Sequence, residues 1–197
     1  WGFFSVLIFV LLGSILTIVL QSSSATMALT LVMASQGWIP FEMAAAMVLG
    51  ENIGTTITAN IAASVGNISA KRAALAHTFF NVFGVIWVLI LFKPFLLLIS
   101  KIVVSLGGAD PFVSSDSLLY AVSTLHTLFN IINTLILVWF TPQIVKFVSM
   151  VIKPKREEEE VFRLKYIQSG ALSTSELSLE QAKQEIIHYS EIIERQY

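Results

Sequence analysis

Two short stretches gather oxygen- and amide-bearing side chains in otherwise apolar surroundings. The first is Gln21-Ser22-Ser23-Ser24-Ala25-Thr26. The second, Gly50-Glu51-Asn52-Ile53-Gly54-Thr55-Thr56, continues into Thr58 and Asn60. No Lys or Arg lies in either, so an anion there cannot be neutralised by a basic side chain. It can be held by the free N–H groups and dipole of a helix N-terminus. Hydroxyl, amide and carbonyl oxygens suit a small hard cation. An oxyanion and a small hard cation are therefore the ligands these residue types fit. Glu51 is the one acid in this neutral setting. It either helps hold a cation, exchanges a proton, is paired with a base, or sits at the wet end of the break.

A nucleophile–base pair of Ser22–Ser24 with His77 or His126 is the enzymatic alternative. Neither a G-x-S-x-G elbow nor an H-E-x-x-H zinc motif accompanies it. Three adjacent serines suit several oxygen ligands better than one activated nucleophile. No enzyme is expected, and no catalytic residue or organic cofactor. The chain has no cysteine, which removes disulfides, thiolate metal sites and Cys nucleophiles. The net charge of −1 argues against a nucleic-acid partner, because neutralising phosphates takes clustered bases.

The elements that position these residues are membrane-like. Only 9 charged side chains fall in residues 1–152, against 16 in residues 153–197. Uncharged runs cover Trp1–Phe41, Asn52–Ala70, Ala73–Phe92 and Ser117–Val145. About 20 apolar residues make a spanning helix. Ala73–Phe92 and Ser117–Phe140 read as plain spans. Phe3–Gln36 reads as a re-entrant hairpin with Gln21–Thr26 at its tip, since Met27–Ala34 is too short to span. Phe41–Val65 reads as a helix unwound around Asn52. Irregular backbone at membrane depth survives only where protein or a wet cavity satisfies it.

The basic residues Lys71, Arg72, Lys146, Lys153, Lys155 and Arg156 place their ends of the chain in the cytoplasm. Gly107–Asp116, with two acids and no base, falls outside. Lys93 and Lys101 fit on a short interfacial helix. His77-Thr78-Phe79-Phe80-Asn81 recurs as His126-Thr127-Leu128-Phe129-Asn130. In each copy the His and Asn share a helix face. They serve either as hydrogen-bonding glue between helices or as contacts to substrate or ion.

The motif Gln21-Ser22-Ser23-Ser24-Ala25-Thr26, followed by Gly50–Ala59, resembles the sodium/phosphate cotransporter family. Lys71–Asn81 and His126–Asn130 look like its bacterial members. The resemblance covers roughly residues 1–150. It implies an all-α membrane fold of two inverted repeats, each with its own Gln-Ser-Ser-Ser, with substrate and ion bound between them. This chain carries one such motif and looks like the second, C-terminal repeat. The missing repeat, or a second copy of the chain, is then a required partner beside the bilayer, sodium and inorganic phosphate.

Residue by residue, the resemblance implies phosphate contacts from Gln21, Ser22, Ser23, Ser24, Asn52, Thr55 and Thr56. It implies sodium contacts from Gln21, Ser24, Thr26, Asn52 and Thr56. Glu51, His77, Asn81, His126 and Asn130 are expected in supporting positions. The implied activity is sodium-coupled phosphate transport across the cell membrane. A channel-like pore, and a scaffold docking cytosolic partners through its tail, are the other readings. Glu51 stands where many members have Ala or Ser, which leaves the number of coupled cations open.

Residues 153–197 read as a charged linker, Lys153–Glu160, followed by a segment that looks like the beginning of the PhoU-like cytosolic helical domain attached to bacterial members of this family. Ser178 with Gln181 suggests a capping box. Leu179, Ala182, Ile186, Tyr189 and Ile193 form an apolar stripe at helical spacing.

Overall fold

A computed structural model describes residues 2–154 and 175–196. The described residues are helical, with no strand. Helix α1 runs Phe3–Leu20, α2 Ser23–Ser35, α3 Phe41–Ala63, α4 Ile68–Ile90 and α5 Phe92–Ser105. A 3-10 turn at Ser115–Ser117 leads into α6, Leu118–Leu137. A second, Val138–Phe140, leads into α7, Thr141–Val151, and α8 spans Ser175–Gln196. The chain divides into two compact units, residues 1–152 and 153–197.

Helix α1 has the reverse of a water-soluble pattern. Its buried face is Val6, Val10, Gly13, Ser14 and Thr17, mostly small or hydroxyl-bearing. Its exposed face is Phe3, Phe4, Leu7, Ile8, Leu11, Leu12, Ile15 and Val19. Large apolar groups facing out and small groups facing in is the arrangement that lipid favours, because close helix packing replaces hydrophobic burial. Among the described residues, three stretches are long and apolar enough to cross a membrane: Phe3–Leu20, Ile68–Ile90 and Ser115–Val151. Helix α2, with 13 residues, extends about 20 Å, well short of a hydrocarbon core of about 30 Å.

Helix α3 is the centre of the larger unit and packs against α1, α2, α4 and α6. Every residue from Met43 to Glu51 is buried. Two glycines permit the closest contact. A Cβ on Gly50 would run into the Val10 carbonyl, and one on Gly54 would meet Thr17 Cβ at 2.7 Å. Gly13 of α1 plays the same part opposite Met47. The pairing Gly13–Met47 and Thr17–Gly54 makes α1 and α3 parallel, with α2 returning between them in sequence.

The unwinding expected around Asn52 does not occur: α3 continues unbroken from Phe41 to Ala63. Gly50 and Gly54 carry the helix without a break because no proline removes a ladder bond there. Their use is proximity to α1, not irregular backbone. The hydroxyls and amides in this stretch turn back on the same helix. Asn52 Nδ2 donates to Val48 O at 2.9 Å, Thr55 Oγ1 to Glu51 O at 2.9 Å, and Thr56 Oγ1 to Ile53 O at 2.8 Å.

Helices α4 and α6 run antiparallel, joined by Asn133 of α6. Its Nδ2 donates to Phe80 O at 2.9 Å, and its Oδ1 accepts from Trp87 Nε1 at 3.2 Å. Gly84 makes room for this amide. Trp87 also packs on Phe129 and edge-on against Phe95 of α5. Lys93 and Lys101 do lie on a separate short helix, α5, whose buried side is Phe95, Leu96, Ile99, Ser100 and Val103. Asp110 orders the following loop, accepting from Ser100 Oγ at 2.9 Å and Phe112 N at 3.1 Å.

At the other end of this pair, Arg72 Nε donates to Ile152 O at 3.1 Å. The start of α4 thus meets the segment just after α7, which puts Lys71, Arg72 and Lys146 toward one end of the larger unit. Gly107–Asp116 lies at the opposite end of α6.

In the second unit, α8 starts at Ser175, so Ser178 sits within its first turn and not at its cap. Of the apolar stripe, Leu179, Ile186, Tyr189 and Ile193 are exposed. Most of the Lys153–Glu160 linker lies outside the described residues.

Candidate functional site

The turn between α1 and α2 is the candidate site. Gln21 closes α1 in the left-handed region, at φ 51°. It is the one non-glycine residue with positive φ among the described residues. An L-residue pays about 1–2 kcal/mol for that conformation, so glycine would be the relaxed choice here. Ser22 then takes extended backbone as the N-cap of α2, and its Oγ accepts from Ala25 N at 3.2 Å. The N–H groups of Ser23 and Ser24, at the first helical positions, have no intrahelical acceptor. Gln21 and Ser24 are exposed, and Ser22 and Ser23 are half-buried. The tip therefore presents two free N–H groups, three hydroxyls and an amide, without a formal charge. Such a terminus attracts an anion through its dipole.

Behind the tip runs a buried line of hydroxyls. Thr26 Oγ1 donates to Ser22 O at 3.0 Å, and Thr17 Oγ1 donates to Thr26 Oγ1 at 3.2 Å. One turn further along α2, Thr30 Oγ1 donates to Glu51 Oε1 at 2.7 Å. Thr17, Thr26, Thr30 and Glu51 are all within 2% of complete burial. Ser14 Oγ, on the next turn of α1, donates to Gly50 O at 2.8 Å. This seam joins α1, α2 and α3 through side chains that a soluble protein would place at its surface.

Of the residues singled out from the sequence, Gln21, Ser22, Ser23, Ser24 and Thr26 share the hairpin turn. Thr56 is buried, and Asn52 and Thr55 are half-buried along α3. Their backbone N–H groups belong to a continuous helix, so Gly54–Thr56 offers no second helix N-terminus. The two His/Asn copies are local pairs. Asn81 Nδ2 donates to His77 O at 3.1 Å, and Asn130 Nδ2 donates to His126 O at 2.8 Å. Among the described residues, neither Asn bonds across to another helix.

The interhelical hydrogen bonds lie elsewhere. Asn133 ties α6 to α4, as described. Asn60 Nδ2 reaches Thr78 Oγ1 at 2.6 Å and ties α3 to α4. Ser14, Thr17, Thr30 and Asn133 were not picked out from the sequence. Their signal was there: Ser14 and Thr17 fall on the same 3–4 spacing as Val6, Val10 and Gly13. No group of three or more His, Cys, Asp or Glu capable of holding a metal occurs among the described residues.

Comparison with known proteins matches the Na+/Pi-cotransporter family to residues 5–108. An Escherichia coli (strain K12) protein, YjbB, whose name proposes inorganic phosphate export, is 26% identical over 190 residues. That alignment covers 96% of this chain and 33% of the relative. The Bacillus subtilis (strain 168) protein YqeW is 34% identical over 145 residues, covering 74% of this chain and 43% of the relative. The sodium-dependent phosphate transport protein 2C of Mus musculus is 40% identical over 95 residues, 46% of this chain and 16% of that protein. The chain spans about a third of the length of the first of these relatives. No solved structure matches it. The match over more than half of the chain, centred on the hairpin and α3, makes it a member of the Na+/Pi-cotransporter family.

Proposed function

We propose that this chain forms the C-terminal half of a sodium-coupled pathway for inorganic phosphate across the cell membrane. The single observation that carries the reading is the α1–α2 turn. It holds an exposed amide in a strained backbone and a serine-capped helix N-terminus with two free N–H groups. Strain retained at a polar turn points to a use for the Gln21 side chain. In this reading Phe3–Gln36 is re-entrant, and its tip lies in a wet cavity near the midplane. Ser22, Ser23 and Ser24 hold phosphate through hydroxyls and N–H groups. Gln21, Ser24 and Thr26 add oxygens for sodium. Asn52, Thr55 and Thr56 line the facing stretch of α3 through their remaining lone pairs.

One helix N-terminus carries part of the charge of a phosphate. A second hairpin, from the rest of a longer chain or from another copy, supplies an opposing terminus. Discontinuous segments meeting at a repeat interface are a general transporter design. Rocking of one half against the other exposes the loaded site to each side in turn. The basic end, with Lys71, Arg72 and Lys146, lies on the cytoplasmic side. Residues 153–197 then begin a PhoU-like cytosolic domain.

The test is phosphate uptake into proteoliposomes carrying the full-length protein. Uptake should follow a sodium gradient and collapse when choline replaces sodium. Equal uptake in choline would overturn the coupling. A Ser23→Ala variant that inserts normally but loses uptake would support the hairpin as the site.

A further inference from the structure

We propose that the groove beside the first turn of α3 binds one molecule of phosphatidylethanolamine. Its phosphate meets Lys93, its ammonium meets Glu42, and an acyl chain lies along the apolar walls. The inference goes beyond transport and does not depend on it. The groove has a volume of about 790 Å³, within the range of about 300–1,000 Å³ that ligand-sized cavities occupy. Phe3, Met43, Ile90, Leu97 and Phe112 are among its walls. Among the described residues, Glu42 and Lys93 bring the only polar side chains to it.

The groove sits where helices end. Phe3 and Glu42 stand in the first turns of α1 and α3, Ile90 closes α4, and Lys93 lies in the first turn of α5. The stretch Phe3–Leu20 starts here and Ile68–Ile90 finishes here, and both are long enough to cross a membrane. The ends of spanning helices lie at the level of the lipid headgroups. Phe3, Ile90 and Leu97 are large, apolar and exposed, so the groove is bordered by surface that suits hydrocarbon. Phe112 forms a lip on the loop side, edge-on to Phe41 with ring centroids 5.2 Å apart.

The two charges select the headgroup. Glu42 is half-buried and Lys93 exposed. Among the described residues neither makes a hydrogen bond or an ion pair, with the other or with any third group. A carboxylate and an ammonium thus line one apolar groove and leave both charges for an occupant to meet. Glu42 repels a headgroup that is only anionic, and Lys93 repels one that is only cationic. A phosphate joined to an ammonium by a short arm answers both. A primary ammonium also donates hydrogen bonds to a carboxylate. A strand of polypeptide is the rival occupant. It would bring N–H and C=O groups against walls that offer them no partner, whereas an acyl chain brings none.

The experiment uses the full-length protein in phosphatidylcholine vesicles that carry a trace of phosphatidylethanolamine with a photoactivatable diazirine on its acyl chain. Mass spectrometry locates the adducts. A phosphatidylglycerol probe with the same acyl chains is the second arm. The expected result is adducts on the segments holding Phe3, Met43 and Leu97, more from phosphatidylethanolamine than from phosphatidylglycerol. Glu42→Gln should lower the phosphatidylethanolamine yield roughly fivefold, the most that one exposed charge contact usually supplies, without lowering the other. Leu97→Trp, at an exposed position, fills the groove and should abolish both sets of adducts. Equal yields from the two lipids, unmoved by Glu42→Gln, overturn the proposal. So does an absence of adducts on these segments, the result if another part of a longer chain occupies the groove. Should Glu42→Gln fail to insert, Lys93→Gln takes its place: an unchanged yield from both lipids overturns the proposal, and a fall in both supports it.

Discussion

Ser14 Oγ of α1 donates across the helix interface to the carbonyl oxygen of Gly50 in α3 at 2.8 Å. The bond is possible because Gly50 has no side chain: a Cβ there would strike the Val10 carbonyl on the same face of α1. Gly50→Ala must therefore push the helices apart, and should cost at least about 2 kcal/mol. Ser14→Ala removes one interhelical hydrogen bond and should cost about 0.6 kcal/mol. Thermal unfolding of the purified protein in detergent checks the order. A Gly50→Ala protein as stable as Ser14→Ala would contradict the packing.

The cap of α2 makes a separable prediction. Ser22→Ala loses the acceptor for Ala25 N, a change that typically costs about 1 kcal/mol. Ser22→Gly should cost only a few tenths of that. Both should weaken phosphate transport, since both remove a hydroxyl from the tip. Gln21→Gly relaxes the turn and should raise stability by roughly 1 kcal/mol while lowering transport at least tenfold. Stability and uptake measured together separate these effects. Full uptake in Gln21→Gly would show that its amide has no role.

Asn133, Asn81 and Asn130 discriminate between the repeated motif and the bonds that join helices. Asn133→Ala leaves the Trp87 indole N–H without its acceptor and removes the bond to Phe80 O, and should cost about 1–3 kcal/mol. Asn81→Ala and Asn130→Ala lose only a bond back to their own helix and should each cost well under 1 kcal/mol. Equal losses in all three would mean that the echo joins helices after all.

Topology can be read with single cysteines, because the chain has none. In a full-length protein otherwise free of cysteine, Lys153→Cys and Ser114→Cys should react with an impermeant thiol reagent from opposite sides. Lys153→Cys should be protected in intact cells. Labelling of both from outside would reverse the assignment of the basic end.

Much of this architecture was readable from charge and length. The uncharged runs located α1, α4 and α6, and the pair Lys93/Lys101 marked α5 as a separate helix. The Gln21–Thr26 interruption marked a real turn. The Gly50–Thr56 stretch misled, because glycine and hydroxyls in sequence look alike whether they break a helix or let another approach it. Only the partner decides, and the partner is the Gly13–Ser14–Thr17 face of α1. The hydrogen-bonding partners were equally hidden. Asn81 and Asn130 stand out by repetition, whereas Asn133 acts through a space left by Gly84 on a different helix.

The hold of Arg72 on the Ile152 carbonyl has a mechanical consequence. The final peptide of the membrane unit is anchored to the first turn of α4, not left hanging from α7. A pull or twist applied beyond Ile152 is delivered to α4, and through Asn60 and Thr78 to the central helix that carries Glu51. One guanidinium thus makes a rigid linkage out of what would otherwise be a loose leash.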